Sequence, residues 1–340
     1  MLLPDEAVLA WEVAGAVRDC PDAGLINRTY LVGDPPQGVL QWLNPIFSPR
    51  VNDDIAAVTA RLAEQGLLTP RLLPTRAGES CHLDEVGAWR MLSFVPGRTL
   101  HKAPSPQAVF SAGALVGRFH QALDGWPHPG HAPRRDIHNT PQRMADLQAA
   151  LEGADGHPLE VPARALGEDL LRRWATWEGT VALPERTCHG DLKLSNLRFA
   201  LDRDEAICLL DLDTIGPMAL SCELGDAWRS WCNPAGEDAP EAVTFDLDIF
   251  EASLRGFLST APQLGEDERQ SLVPGVERIC LELASRFCAD AVRNSYFRED
   301  RVRFPAVGAH NLHRATAQSR LAQAARLAAP AARDILRRWG

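Results

Sequence analysis

The stretch that decides the fold places two aspartates and an asparagine among short apolar runs, in residues 188–216: CHGDLKLSNLRFALDRDEAICLLDLDTIG. Asp191 is followed five residues later by Asn196, and Asp211 comes fifteen residues after that. The apolar runs around them are typical of short buried strands. The stretch therefore predicts a strand–loop–strand unit that carries a carboxylate, an amide and a second carboxylate.

These residue types in this order suit phosphoryl transfer. That reaction needs one carboxylate to orient or deprotonate the attacking hydroxyl, and metal ligands that hold Mg²⁺ against nucleotide phosphates. Mg²⁺ prefers oxygen ligands, which Asn and Asp side chains supply. His189, Asp191, Asn196 and Asp211 have the spacing of a kinase catalytic loop with its following strand. Lys193, two residues after Asp191, can place its ammonium group near the transferred phosphoryl group.

A β-hairpin in which Asp and Asn serve only as turn residues is the alternative interpretation, because turns favour both residue types. Acidic groups at both ends of an apolar strand are harder to explain as turn chemistry, so the catalytic interpretation is favoured. The role of Asp213 stays open, since it can be a further metal ligand or a capping group.

The first ninety or so residues carry short β-like runs. Residues 25–44, LINRTYLVGDPPQGVLQWLN, predict two strands joined by a Gly/Pro turn. Residues 52–66, NDDIAAVTARLAEQG, predict a helix with an Asn or Asp N-cap that stops at Gly66. Residues 88–100, AWRMLSFVPGRTL, predict a strand that runs into a Pro-Gly linker. These runs predict a small β-rich lobe.

Beyond the linker the pattern becomes helical. Residues 104–123 place apolar side chains on one face of a helix, and the C-terminal third is mostly helix with an interruption at Pro330. We therefore predict an α+β, bilobal chain: an N-terminal nucleotide-binding lobe over residues 1–93, a hinge over 94–100, and a larger, mainly helical catalytic and acceptor-binding lobe over 101–340.

Net charge, apolar runs and cysteine spacing disfavour several classes of function. The formal net charge of −10 disfavours a nucleic-acid or anionic-membrane binder. No signal peptide and no apolar run of about eighteen residues are found in the sequence. The eight cysteines form no CxxC pair, which predicts reduced thiols in a cytoplasmic protein.

The combination of CHGDLKLSN and LLDLDT resembles the aminoglycoside phosphotransferase superfamily, whose members share the protein-kinase-like fold. Within it, the sequence is most similar to N-acetylhexosamine 1-kinases and related bacterial phosphotransferases. The softer matches, in chain order, are GLINRTYLV, VLQWLNPIF, DIHNTPQR, ELGDAWRSWCNPAGED, RFCADAV and NLHRATAQ.

The resemblance implies ATP and Mg²⁺ as cofactors, Asp191 as the catalytic base, and Asn196 and Asp211 as Mg²⁺ ligands. It implies a backbone hinge for adenine after Met91. The residues assigned to nucleotide binding are Asn27, Arg28, Thr29, Gln41, Met91 and Ser93; for Arg28, an exposed position on a strand is the favoured alternative. The implied acceptor is the anomeric hydroxyl of an N-acetylhexosamine; aminoglycosides, choline-like alcohols and homoserine are the alternatives.

The resemblance also implies acceptor-binding residues in the helical lobe. Asp226 matches a position that buttresses the catalytic loop from a helix in this fold, so a structural role is favoured for it. The candidates for the acceptor pocket are Asp226, Trp228, Arg229, His138 and Arg143, with surface packing as the open alternative for Trp228 and Arg229. The partner is thus a small molecule, with no nucleic acid and no membrane; monomer and homodimer both stay open.

One departure from the resemblance affects the nucleotide site. Most kinases of this fold carry a lysine on the third strand, whereas this chain has Gln41 and Trp42 there and its first lysine is Lys102. The missing charge favours a nucleotide-binding pseudokinase as the rival interpretation, while the intact Asp191, Asn196 and Asp211 disfavour it. Nucleotidyl transfer on the same fold is a third possibility.

Overall fold

The structure is a computed structural model that describes residues 3–13, 15–21, 26–85, 87–127, 130–131 and 137–340. Gly24 and Leu25, which begin the predicted nucleotide loop, lie outside the described residues, as does Asp136 of the DIHNTPQR stretch.

The strands are short and fall into an N-terminal group and a group around the deciding stretch. They are β1 (Val17–Asp19), β2 (Arg28–Val32), β3 (Gly38–Leu43), β4 (Leu72–Leu73), β5 (His82–Asp84), β6 (Gly87–Ser93), β7 (Arg98–Thr99), β8 (Glu185–Cys188), β9 (Leu197–Phe199), β10 (Ala206–Leu209) and β11 (Gly216–Ala219).

The N-terminal strands form one antiparallel sheet in the order β1-β2-β3-β6-β4, with β5 also paired to β6. β2 and β3 form the predicted hairpin, in which Thr29 lies opposite Gln41. On the other side of β3, Gln41 lies opposite Arg90 of β6. Three neighbouring strands therefore bring Thr29, Gln41 and Arg90 into one row across the sheet.

Helices make up most of the remaining chain. They are α1 (Pro4–Ala7), α2 (Val51–Glu64), α3 (Pro106–Leu123), α4 (Thr140–Glu152), α5 (Glu160–Ala175), α6 (Leu220–Trp231), α7 (Leu247–Leu258), α8 (Glu266–Arg293) and α9 (Ala309–Trp339). The predicted face of α3 is buried: Val109, Ala112, Leu115, Val116 and Phe119 are each at most 3% exposed.

Helix α8 lies at the centre of the helical part and packs against α4, α5, α6 and α9. The approach of α6 to α8 depends on two glycines. A Cβ on Gly225 would lie 2.6 Å from the carbonyl oxygen of Gly275, and one on Gly275 would lie 2.3 Å from that of Ser221. Since real Cβ atoms do not approach so closely, only glycine permits this crossing. The crossing matters because α6 and α8 both carry side chains of the site described below.

The α+β prediction, with a small β-rich N-terminal part and a larger helical part, is confirmed. The boundaries at residues 93 and 100 stay a prediction. β7, at the end of the predicted hinge, joins β9 and β10 in a second sheet, so the hinge contacts the deciding stretch. All eight cysteines are free thiols. Among the described residues, no helix has the length and apolar character needed to cross a membrane.

Two local predictions are wrong. Helix α2 begins at Val51, before the predicted Asn or Asp N-cap, and has Arg50 at its N-cap without a side-chain hydrogen bond. Asn52 instead lies in the first turn, buried, and donates to the carbonyl of Pro49 at 2.9 Å. Helix α9 continues through Pro330, because Ile335 and Leu336 beyond it are buried and their packing offsets the hydrogen bond that proline cannot make.

Candidate active site

Pairing of β8 with β11 brings the two ends of the deciding stretch together. Cys188 at the end of β8 lies opposite Gly216 at the start of β11, and β9 and β10 form a hairpin between them. Residues 189–196, the Asp191 loop, and residues 211–214, the Asp211 turn, therefore emerge side by side. The hydroxyl of Thr214 joins them by donating to the carbonyl of His189 at 2.7 Å.

Glu223 of α6 holds the Asp191 loop from below. Its two carboxylate oxygens accept the backbone N–H groups of His189 and Gly190, both at 2.8 Å. Gly190 has φ +83°, and a Cβ there would lie 2.8 Å from the carbonyl oxygen of Thr214. Charge-assisted bonds to two consecutive amides fix the backbone just before Asp191. From the same helix, the indole of Trp231 donates to the carbonyl of Leu192 at 2.7 Å.

The buttressing carboxylate is therefore Glu223, and the expectation that Asp226 has this role is wrong. Asp226 lies three residues further along α6, and its Oδ1 accepts two hydrogen bonds from Arg229 at 2.9 and 3.0 Å. One helical turn separates the two carboxylates, so only Glu223 reaches the loop amides.

Asp191, the predicted base, forms an ion pair with Lys193, whose Nζ lies 2.9 Å from Oδ2. Burial alone would raise the pKa of Asp191, but the positive charge and hydrogen bond of Lys193 outweigh it and the pKa is lowered. The same pair raises the pKa of Lys193. Asp191 is thus a carboxylate near neutral pH, as a hydroxyl-orienting residue requires, and Lys193 is a cation.

Asn196 and Asp211 supply oxygen atoms on facing segments. The side-chain amide of Asn196 donates to the backbone carbonyl of Asp191 at 2.8 Å, which turns its Oδ1 away from that carbonyl. Asp211 adopts a left-handed conformation, φ 59° and ψ 62°, an uncommon state for a non-glycine residue. Desolvation, Asp213 and Asp191 raise the pKa of Asp211 to about 6. An amide oxygen beside a carboxylate in a negative environment fits the oxygen chemistry of Mg²⁺.

Asp213, which the sequence left open between metal ligand and cap, is bound by protein groups at both oxygens. It is 2% exposed and forms a buried ion pair with Arg90 through Oδ1 and Oδ2, the latter 2.9 Å from Nη2. Oδ2 also accepts the side-chain amide of Asn27 at 2.6 Å. Asp213 therefore connects the Asp211 turn to the N-terminal sheet.

The residues predicted to bind nucleotide lie on and beside that sheet. Gln41 accepts from Arg90 and donates to the hydroxyl of Thr29 at 3.0 Å. Asn27 accepts the backbone N–H of Asn44 at 2.9 Å. Arg28 is exposed, and its guanidinium lies 5.4 Å from the centre of the Trp42 ring. Asn27, Thr29 and Gln41 thus form one network, with Arg28 on the outer face.

Met91 and Ser93 lie at the end of β6, before the predicted hinge. Met91 is fully buried and contributes to the small N-terminal core. The backbone N–H of Ser93 donates to the carbonyl of Arg71 at 2.8 Å, and its hydroxyl accepts the N–H of Arg71 at 2.9 Å. The hinge contact with adenine stays a prediction.

His138 contacts the Asp191 loop, and its hydrogen bonds indicate that its imidazole ring is protonated. Nε2 lies 3.1 Å from the carbonyl oxygen of Gly190, and Nδ1 lies 3.0 Å from Oε1 of the buried Glu282. Both partners only accept, so both ring nitrogens must donate. Burial alone would lower the pKa of His138, but the carboxylate of Glu282 outweighs it and the pKa is raised. The hydroxyl of Thr140 donates to the other carboxylate oxygen of Glu282 at 2.6 Å.

A cavity of about 170 Å³ opens beside the Asp191–Lys193 pair. It is lined by residues that include His101, Lys193, Ser195, Arg229, Asn233 and Glu237. Arg229 also donates to Glu237 at 2.9 Å, so the cavity mixes donors and acceptors. Oδ1 of Asn233 and Oδ2 of the neighbouring Asp226 are buried and have no hydrogen-bond partner among the described residues.

Two candidate acceptor residues lie elsewhere. The indole of Trp228 is 1% exposed, donates to Ser253 at 2.9 Å and packs on Phe250, so it belongs to the core between α6 and α7. The sequence left an acceptor-pocket role and surface packing open for Trp228, and the structure places it in the core instead. Arg143 pairs with Asp146 on its own helix α4 at 3.1 Å. Asp226, Arg229 and His138 are the candidates that lie near the Asp191 loop.

Residues 21–257 match the sequence profile of the phosphotransferase enzyme family. The chain belongs to that family. An uncharacterised protein of Deinococcus radiodurans is 26% identical over 168 residues, which are 49% of this chain and 46% of that protein. The match spans about half the length of this curated relative.

Solved structures show the fold of this phosphotransferase. An amicoumacin kinase in complex with AMP-PNP, Ca²⁺ and Ami has a TM-score of 0.63 at 13% identity, covering 92% of this chain and 91% of that one. A microcompartment-associated aminopropanol kinase has a TM-score of 0.63 at 17% identity, covering 94% and 95%. A choline kinase from Cryptosporidium parvum has a TM-score of 0.60 at 11% identity, covering 95% and 92%. These likenesses show a protein-kinase-like fold.

Sequence reasoning missed two residues of the phosphotransferase site, Glu223 and Arg90. Glu223 is the first acidic residue of ELGDAW, and weighing both carboxylates of that stretch would have included it. Arg90 is a lone charge within the apolar run AWRML, which is itself a signal, because a charged side chain in a buried strand needs a partner.

Proposed function

We propose that this protein is a Mg²⁺-dependent kinase that transfers the γ-phosphoryl group of ATP to a hydroxyl of a small molecule. The observation that carries the proposal is the convergence of Asp191, Asn196 and Asp211 on two adjoining segments whose backbones are held by Glu223 and by Thr214. A module that only binds nucleotide has no need of an ionised carboxylate at the position of Asp191. Family membership supports phosphoryl transfer as the reaction class.

Each residue has one task in the proposed reaction. Asp191 accepts a hydrogen bond from the acceptor hydroxyl and aligns it with the γ-phosphorus, taking its proton as the bond forms. Lys193 keeps Asp191 ionised and offers its ammonium to the transferred group. Asn196 and Asp211 would hold Mg²⁺, which neutralises the charge that develops on the phosphate oxygens. Asn27, Thr29 and Gln41 line the nucleotide side.

We further propose a neutral, hydroxyl-rich acceptor such as an N-acetylhexosamine, phosphorylated at its anomeric hydroxyl. The cavity beside Lys193, the partner of Asp191, is lined by both donors and acceptors, as recognition of several hydroxyl groups requires. Among the described residues that line it, none is Trp, Tyr or Phe. Quaternary ammonium groups are recognised by aromatic cages, so a choline-like acceptor fits this lining less well.

An amino alcohol is the second candidate, and one observation favours it. Oδ2 of Asp226 is buried without a partner among the described residues, and a buried carboxylate oxygen is a good site for an ammonium group. Two of the similar structures are an aminopropanol kinase and a choline kinase by name.

The test is ADP release from ATP and Mg²⁺ over a panel of free sugars, amino alcohols and aminoglycosides, with products located by phosphorus NMR. We expect acceptor-dependent ADP with a sugar. Pyrophosphate in place of ADP would indicate nucleotidyl transfer. ATP binding without turnover on any acceptor would indicate a pseudokinase and contradict the proposal.

Asp226→Asn separates the two acceptor classes. Asn keeps a hydrogen-bond acceptor but loses the charge. The KM for a neutral sugar is expected to rise by less than about fivefold, whereas the KM for an ammonium-bearing acceptor would rise by roughly 10²-fold, the larger loss expected for a bond to a charged group. Asp155→Asn, which neutralises the exposed partner of Arg164 away from the cavity, is the matched control.

A further inference from the structure

The proposed kinase lacks a lysine on β3. The cation nearest to that position in the row of Thr29, Gln41 and Arg90 is Arg90 of β6. Arg90 lies opposite Gln41, one strand further into the sheet, and is 1% exposed. Its Nε and Nη2 donate to Oε1 of Gln41 at 2.9 and 2.7 Å. Nη1 and Nη2 bind the carboxylate of Asp213, and Nη1 also lies 3.5 Å from Oδ1 of Asn52.

These contacts use the whole guanidinium. An arginine has five N–H donors, and Gln41, Asp213 and Asn52 accept five hydrogen bonds from Arg90. A buried guanidinium with all donors engaged has none to offer to a phosphate. Arg90 therefore does not replace the missing lysine as a direct phosphate contact.

We propose that Arg90 is a positioning residue that holds the Asp211 turn in place through Asp213, and that Asp213 is a structural carboxylate rather than a metal ligand. The inference rests on the proposed function for its meaning, because Asp211 is the metal ligand that the turn presents.

The left-handed backbone of Asp211 explains why such an anchor is needed. A non-glycine residue in this conformation is strained and persists only where surrounding contacts determine it. Asp213, two residues later, is gripped by Arg90 from β6 and by Asn27 from the segment before β2. A bidentate Arg–carboxylate pair fixes orientation as well as distance. The N-terminal sheet thus determines where the oxygens of Asp211 lie.

The test is a double-mutant cycle of Arg90→Gln, Asp213→Asn and the double variant. Each single variant leaves a buried charge without its partner, whereas the double variant is neutral and can retain a Gln–Asn hydrogen bond. By calorimetry, each single change is expected to weaken MgATP binding about tenfold or more, with adenosine binding changed by less than about twofold. The double variant is expected to return to within about threefold of wild type for MgATP.

The exposed pair of Asp202 and Arg203 on the β9–β10 hairpin is the matched control, and its Arg203→Gln and Asp202→Asn changes are expected to be additive and silent for MgATP. A double variant as weak as Arg90→Gln, beside an Asp213→Asn variant near wild type, would overturn the inference and make Arg90 a phosphate ligand. Loss of Mg²⁺-dependence in both Asp213→Asn and the double variant would overturn it and make Asp213 a metal ligand.

The same cycle is read as the Tm of the nucleotide-free protein, which separates the two proposals. A smaller loss of Tm in the double variant than the sum of the singles supports the buried pair, and additive losses overturn it. A wild-type protein that does not bind MgATP would overturn the proposed function, without affecting the Tm cycle.

Discussion

The two functional segments of the site are held in different ways. The Asp191 loop is anchored at its backbone: Glu223 accepts two consecutive amides, and His138 donates to the carbonyl of Gly190. The Asp211 turn is anchored through the side chain of Asp213, which forms an ion pair with Arg90 on β6 of the N-terminal sheet. The first anchor comes from helices α6 and α8 and the loop before α4, the second from the N-terminal sheet.

The difference concerns which changes each anchor tolerates. Bonds to backbone amides do not depend on the loop's side chains, so the Asp191 loop can change sequence and keep its shape except at Gly190, where a Cβ would lie 2.8 Å from the carbonyl oxygen of Thr214. The side-chain anchor fails with a single substitution at Arg90 or Asp213. It also couples Asp211, the proposed metal ligand, to the N-terminal sheet, whereas Glu223 and His138 hold the Asp191 loop from the helical part.

The largest expected effect comes from a change at Asp191 itself, which leaves the anchors of both segments intact. Asp191→Asn removes the base and keeps its shape, so turnover is expected to fall roughly 10²-fold or more while Tm and nucleotide affinity stay near wild type. Steady-state ADP release and thermal unfolding measure the two. Asp202→Asn on the exposed hairpin is the control. Near-wild-type turnover in a folded Asp191→Asn variant would contradict the assignment of Asp191 as the base.

Asp211→Ala affects the other segment and is expected to change binding before chemistry. It removes a metal ligand, so the Mg²⁺-dependent part of ATP affinity is expected to disappear, with adenosine affinity retained. Calorimetry with and without Mg²⁺ measures this, with Asp202→Ala as the control. If ATP affinity in the wild type does not depend on Mg²⁺, the ligand assignment is wrong.

This comparison also shows which parts of the site the sequence could reveal. Asp191, Asn196 and Asp211 follow one another within a local strand–loop–strand pattern, and local spacing carried their prediction. Glu223 acts on Gly190 from 33 residues away and Arg90 acts on Asp213 from 123 residues away, distances over which no periodicity connects two positions. Which residues of the stretch Glu223 and Arg90 contact depends on how α6 and β6 pack against it. The sequence pattern alone does not contain this packing.

The acceptor candidates illustrate the same limit. Trp228 and Arg229 are neighbours in sequence, yet successive residues of a helix point about 100° apart. Trp228 consequently enters the core beside Phe250, while Arg229 lines the cavity near Lys193. The sequence located the helix that carries the proposed acceptor residues but not which of its faces meets the cavity.

Glu223→Gln tests the backbone anchor with a smaller expected effect. Gln has one accepting oxygen, so one of the amides of His189 and Gly190 loses its partner and meets an NH₂ group. We expect a loss of about 1–3 kcal/mol in the free energy of unfolding and a several-fold fall in kcat, with ATP affinity nearly unchanged. Denaturant unfolding and steady-state kinetics measure these, with the exposed Glu266→Gln as the control. A loss of MgATP affinity with unchanged kcat would contradict the separation of the two anchors.

The smallest effect is expected at His138, and it depends on pH. His138 is faced by Glu282 and Arg286 of α8 and by Asp226 of α6. Because the folded pKa of His138 is raised, the imidazolium stabilises the fold fully below its ordinary value near 6.5, and this stabilisation is lost as the pH rises through the folded pKa. The pKa of Glu282 is lowered, so its contribution is present above its ordinary value of 4.5 and is lost as the pH falls through the folded pKa. The pair is therefore most stabilising between about pH 4.5 and 6.5.

His138→Gln should remove one side of this dependence. Gln donates through a single NH₂ group and carries no charge, so the variant is expected to be less stable than wild type by about 1 kcal/mol near pH 6, with the difference shrinking as the pH rises. Unfolding curves from pH 5 to 9 measure the difference, with His157→Gln as the control. A difference that stays constant over this range would mean that His138 is held by shape alone and that its charge does not contribute to the anchor of the Asp191 loop.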